Sequence, residues 1–315
     1  MSYAQGDKID ASDYNNLING SNQLNTVWGT GTGDAGYGQT AVSTVSQTGL
    51  VTAPQWATLI NTLNSARTHQ SGSGSGISAV TSGQKIDYIG TLQTQINSAY
   101  TNRLAFASNS AVSAGVGGTL TTAWTGVATS ATVTRAFGVR CAFASGDQAR
   151  YFFNAGGRIK LNVSGTQNAS TSGRTNAIID LLTYMGGVAL FGATTNGGRT
   201  GAGGTLGTND TAKGYWNSTY NANVTLVAVT STTSAYTSDT GSITVNCNGT
   251  QSNGGNGINV DFWINLSSAS GTNGPGGTYS FDDAWGINMN RTVDVSYPET
   301  TNLTNSWGSI TVSSL

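Results

Sequence analysis

The sequence predicts an α+β fold that is mainly β: short helical repeats at the N-terminus, then an antiparallel β-sandwich or jelly roll with one covering helix. Hydrophobic spacing is helical up to about Asn109 and becomes alternating from about Ser113. The alternating segments are short and separated by Gly/Asn clusters such as Asn253-Gly254-Gly255-Asn256-Gly257 and Asn273-Gly274-Pro275-Gly276-Gly277. With 37% hydrophobic residues over 315 positions the chain can bury a sizeable core, yet only 9% of it is charged, so its surface must be Ser, Thr, Asn, Gln and Gly. These changes divide a helical region, residues 1–112, from a β domain, residues 113–315.

Three weakly similar stretches open the chain. Each has a Gly, a short apolar approach and an Asp or Thr ahead of helically spaced apolar residues, as an N-capped amphipathic helix requires. The predicted spans are Ala11 to Asn25, Ala53 to His69 and Tyr88 to Asn102, with Pro54 in a first turn where its missing N–H costs little. Each stripe (Leu17, Ile18, Leu24; Leu59, Ile60, Leu63; Leu92, Ile96, Tyr100) is too narrow for a core of its own, so the helices must pack on one another or on another chain. The intervening 29–34 and 71–76 segments read as flexible Gly-rich linkers.

The β region centres on Gly146 to Thr166, which reads as a hairpin. Tyr151 and Phe153, then Ile159, Leu161 and Val163, share one face, and Asn154, Gly156 and Gly157 supply the turn. Further strands are expected at Thr132 to Phe143, Val224 to Val229, Ser242 to Cys247, Ile258 to Leu266, Thr292 to Tyr297 and Trp307 to Val312. Ile178, Ile179, Leu182 and Met185 recur at helical steps and predict a helix over Thr175 to Met185. Cys141 and Cys247 fall on apolar strand faces, as two buried thiols or, alternatively, one disulfide.

The chemistry of enzymes is sparse. There is no HExxH, GxSxG, GxxxxGK or CxxC pattern, and two cysteines with one histidine cannot make a zinc site. No cofactor or metal is expected. His69 closes a predicted helix and reads as a solvated terminal residue. Asp282 and Asp283 are adjacent carboxylates; a glycosidase pair or a calcium site is conceivable, but an Asx-rich turn is the simpler reading. A net charge of −1 supplies no field for phosphates, so no nucleic-acid partner is expected. There is no apolar run for a membrane span, and the opening MSYAQGDKID carries no export signal. Trp216, Trp263 and Trp285 are the candidate surface contacts for a sugar or a subunit, weighed against ordinary core packing.

The segments GDKIDASDYNNLIN, ARYFFNAGGRIKL and NRTVDVSYPETTNLTNSWGSITVSS resemble virion structural proteins of tailed bacteriophages, cyanophage-like ones especially. The resemblance implies a tail-fibre or baseplate-associated component, located in the virion. Its partners would be itself, with a trimer favoured by analogy with fibres, other virion proteins through the N-terminal region, and a host surface glycan. A stand-alone carbohydrate-binding adhesin or lectin, or a fibre-borne polysaccharide hydrolase, are the rival readings. Low surface charge on a protein without an export signal fits cytoplasmic assembly and release by lysis.

Overall fold

The computed structural model describes residues 10–127, 132–168, 172–190, 204–209, 224–233, 236–248, 258–269, 271–272, 280–281 and 284–315. Four helices come first: α1 (Ala11–Ile18), α2 (Leu24–Trp28), α3 (Ala53–Ser71) and α4 (Ile89–Thr101). Asp10 caps α1 through Ser12 N and Asp13 N, and Asp13 answers with a bond to Asp10 N at 3.0 Å. Thr52 and Gln55 cap α3 in the same reciprocal way, and Gly72, at φ +80°, ends it. The first predicted helix is split in two. Gly20 at φ +128° and Asn22 at φ +70° form a turn between α1 and α2 that no helix can run through.

The helical stripes find each other within the chain. Leu17, Ile18, Leu24, Leu59, Ile60, Leu63, Leu92 and Ile96 are fully buried in one cluster, with Tyr14 and Trp56 edge-on at 5.3 Å. The cover that four short helices lack comes from the segments between them, which insert Val42, Val45, Ile77 and Val80. Three helical asparagines clamp these segments. Asn15 bonds both backbone groups of Val45, Asn25 both of Val42, and Asn64 takes Ser75 N and gives to Ile77 O. The 71–76 stretch, expected to be a flexible linker, is thus held at Ser75, and the 29–34 stretch, expected to be another, is held by Arg103 on Asp34, Arg150 on Thr30 O and Asn154 on Gly33 O; the apolar faces of the helices are covered within the chain.

The second region contains β1 (Ser113–Val127), β2 (Val133–Ala142), α5 (Gly146–Asn154), β3 (Arg158–Gln167), α6 (Gly173–Met185), β4 (Gly187–Leu190), β5 (Gly204–Asn209), β6 (Val224–Ser231), β7 (Thr240–Asn248), β8 (Asn259–Ser268), β9 (Gly271–Thr272), β10 (Ser280–Phe281), β11 (Ala284–Ser296) and β12 (Thr311–Ser314). One antiparallel sheet runs β1-β11-β3-β4 and a second runs β12-β2-β8-β7-β6-β5, with β9 and β10 as a separate pair. Phe137 and Val139, Ile243 and Val245, and Phe262 and Ile264 of the larger sheet share a core with Leu161, Ile287, Met289 and Val293 of the smaller. The result is a mainly β, sandwich-like α+β fold. The helix α6 touches β3 and β11 of one sheet and β6 and β7 of the other, rather than covering one side.

The predicted hairpin is not one. Its first half is α5, capped by Ser145 through Gln148 N at 3.1 Å. Tyr151 and Phe153 suit a strand face, but Ala149, Phe152 and Phe153 recur at helical steps as well, and the cap decides between the two. Asn154 does not open a turn: it ends α5, buried, and its amide donates to Gly33 O at 3.0 Å. Gly156 does take positive φ, at +89°, and a Cβ there would overlap the Phe106 ring. A Cβ on Gly157 would meet Phe152 O at 2.6 Å. The strand β3 keeps its expected alternation but pairs with β11 and β4. Of the other strands, β11 begins eight residues before Thr292, at Ala284, while Trp307 lies buried ahead of the short β12.

The cysteines do not pair. Cys141 and Cys247 both register with Val260, from opposite sides of β8. Two strand spacings separate them by about 10 Å, beyond the roughly 7 Å Cα limit of a disulfide. Cys141 is a buried free thiol whose burial pushes its pKa up.

Candidate interaction surface on the six-stranded sheet

Alternation along β8 sends Val260, Phe262, Ile264 and Leu266 into the core and leaves Asp261, Trp263, Asn265 and Ser267 on the opposite, outer face. Register sets their neighbours: Trp263 lies between Gly138 of β2 and Thr244 of β7, Asn265 between Ala136 and Ser242, and Ser267 between Thr134 and Thr240. From Trp263 to Ser267 the outer face is therefore mostly hydroxyl and amide chemistry beside one indole. Trp263 is half-buried because its ring lies across Gly138, where a Cβ would come within 3.0 Å of Cζ3. Leu315, 42% exposed, adjoins the same glycine and donates its backbone N–H to Gly138 O at 3.3 Å.

On one side of the indole Arg140 and Asp261 form a two-pronged ion pair at 2.8 and 2.7 Å, and the carboxylate bonds raise the guanidinium pKa. On the other side is a hollow of about 810 Å³ lined by Thr134, Arg135, Ala136, Ser242 and Asn265 among others. An exposed ring edge beside hydroxyls and amides can stack on a sugar ring and bond its hydroxyls, and can equally seat a polar protein surface. Asp261, on this face, is engaged by Arg140 through both carboxylate oxygens.

The other predicted contacts lie elsewhere. Trp285 is 8% exposed, edge-on to Trp124 at 5.7 Å, with the Arg174 guanidinium 5.7 Å from its ring centre, so it is a core residue. Trp216, Asp282 and Asp283 lie outside the described residues.

His69 is not solvated. It is buried at the seam between the helices and the β region, with Nδ1 3.0 Å from Glu299 Oε1 and its ring edge-on to Tyr37 at 5.1 Å. Burial lowers its pKa against the opposing pull of Glu299. Burial would raise Glu299, but the Asn302 and Thr301 amides together with His69 outweigh it and hold the carboxyl below its ordinary value. Around this pair Gln39 bonds Thr304 through both backbone groups, Ser306 donates to Tyr37 O, and the Arg150 guanidinium donates to Thr30 O and Ala35 O. Sealed from solvent, the pair cannot reach a substrate; it fastens α3 to the segment after β11. A partner 230 residues away leaves no local signal in the sequence.

A second hollow, about 660 Å³, lies at the seam between Trp28, Thr58, Thr62 and Thr301, with no charged lining residue. Among the described residues there is no group of three or more His, Cys, Asp or Glu that could hold a metal ion, and no helix is long and apolar enough to cross a membrane. A scan against protein-family models gives no match, and neither the curated proteins nor the solved structures yield a match.

Proposed function

We propose that the chain is a non-enzymatic structural component of a tailed-phage virion, tail-fibre or baseplate-associated, that works by association with copies of itself, with other virion proteins and with a host surface glycan. The observation that carries this reading is the outer face of the six-stranded sheet, where Trp263 stands among hydroxyls and amides, with the Arg140–Asp261 pair on one side and a hollow that Arg135 also lines on the other. The deployment of charge supports it too. Arg103–Asp34, Arg140–Asp261, Arg150–Asp147 and His69–Glu299 are spent on holding the fold. Around Trp263 the surface left for partners is mostly hydroxyl, amide and backbone chemistry, suited to wide, weakly polar contacts. The helical region, now seen to be fastened along the seam, would present the surface for other virion proteins. The test is immunogold labelling of intact particles with antibody raised against the purified chain. Decoration of tails at a fixed position is expected, and unlabelled particles would overturn the reading.

The placement of Trp263 favours a second reading, a carbohydrate-binding adhesin acting alone. A glycan array probed with the wild type and with Trp263→Ala decides it: binding by the wild type, lost in the variant, locates the sugar on this face. Release of reducing sugar that disappears in the Asp282→Asn/Asp283→Asn variant would instead establish a hydrolase.

A further inference from the structure

The strand β1 is an edge of the four-stranded sheet. It pairs with β11 on one side, and among the described residues no backbone pairs with its other side. From Leu120 to Val127 the register with β11 is unbroken, Leu120 opposite Arg291 through Val127 opposite Ala284. Residues of an antiparallel strand direct their N–H and C=O groups alternately to the two neighbours, so about half of this ladder offers both groups outward.

Sheet edges of soluble proteins are usually guarded by lysines, prolines, bulges or a covering element. Here the guards stop short. Bulges interrupt β1 only between Ser113 and Leu120, and β12 lies close to Gly117, where a Cβ would come within 2.7 Å of Val312. Beyond Leu120 there is neither a Pro nor a charge, and from Leu104 to Thr134 the sequence has no Asp, Glu, Lys, Arg or His. Thr121, Ala123, Thr125 and Val127 stand exposed along this stretch, Val127 at 71%.

We propose that this edge docks the same strand of a second copy of the chain, the two Leu120–Val127 segments pairing antiparallel about a two-fold axis at Ala123. The pleat requires that such an axis pass through a residue, and Ala123 lies near the middle of the unguarded Leu120–Val127 stretch. Paired residues must share a face, so a symmetric antiparallel ladder centres on a residue, and centring on Ala123 puts Thr121 opposite the partner's Thr125. Threonine pairs suit that position, and with no charge in the strand nothing repels its own copy at close range or selects an oppositely charged partner. The four-stranded sheet becomes a continuous one across the dimer. The inference rests on reading the chain as an associating structural protein. It moves association from the helix faces, which are buried, to a sheet edge, and it gives a two-fold pair instead of the trimer drawn from fibre analogy.

Light scattering after size exclusion of the full chain should give twice the 32.2 kDa monomer mass at micromolar concentration. Thr121→Lys with Thr125→Lys, both on exposed positions, should return it to monomer. Ala123→Cys should form a disulfide-linked dimer under mild oxidation, because cross-strand Cα atoms about 5 Å apart lie within disulfide reach. Wild type and Thr91→Cys, on the exposed side of α4, should stay unlinked. A monomeric wild type would refute edge pairing. So would a dimer unaffected by the lysines and not linked through position 123, while leaving association by another surface standing. Should the lysine pair lose its native circular dichroism, the Ala123→Cys result alone decides.

Discussion

Arg150→Ala should destabilise the chain by about 3–5 kcal/mol, far more than a surface arginine would. Arg150 is 2% exposed on α5 and, like Asn154, reaches from the β region into the loop after α2. It donates to Thr30 O and to Ala35 O, the latter at 3.0 Å, and lies 4.9 Å from the Tyr151 ring centre. Truncation strands two carbonyls, each costing about 1–3 kcal/mol unless water enters, and removes the packing of the side-chain stem. The bond from Arg150 to Asp147 at 2.9 Å adds little, because that carboxylate is 46% exposed and regains water. Asp147→Asn is therefore the control, with a loss below about 1 kcal/mol. Urea unfolding followed by tryptophan fluorescence measures both. Equal losses from the two substitutions, or less than about 1 kcal/mol from Arg150→Ala, would mean that buried carbonyl recognition does not hold the seam.

Acid should loosen the same seam. The unfolded chain protonates His69 near its ordinary pKa of about 6.5, but the folded chain resists, so the stability present above that pH is lost progressively as pH falls. Glu299, also depressed in the folded state, adds a loss of the same sign below its ordinary value of about 4.5. The melting temperature should thus drop between pH 7.5 and 4.5, and less steeply in His69→Gln; parallel profiles would contradict this. Gly156→Val should cost about 1–3 kcal/mol from positive φ alone, with the overlap on Phe106 adding to it, and chemical denaturation showing no loss would place the residue wrongly. A chain beginning at Ser113 should keep β-type circular dichroism but melt at lower temperature, since it loses Val27 and Tyr37 from the β core; an unchanged midpoint would mean that the two regions are independent.

Where one period alone fits, the sequence is a good guide. The nine residues from Ile258 alternate without a break, and β8 follows them; Thr52, Gln55 and Pro54 announce α3, and α6 keeps its 3- and 4-residue steps. Where two periods fit, local pattern fails, as at Tyr151 and Phe153 in α5. The strand β1 escapes notice because an edge rich in Gly and Thr buries only Trp124 along its length and so carries almost no hydrophobic signal. Buried polar residues are the least legible. His69, Arg150 and Asn154 find partners more than a hundred positions away, and nothing in their neighbours marks them as anything but surface. Of the candidate contacts, Trp263 sits where alternation puts it, whereas Trp285 shows that a tryptophan beside a turn can still fill a core.

Mass spectrometry of gradient-purified phage particles from an infection in which this chain is produced tests the proposed virion role most directly. Peptides of this protein are expected at a fixed copy number relative to the tail proteins, retained through repeated banding and enriched when tails are separated from heads. Abundant protein in the lysate with none in the banded particles would contradict it.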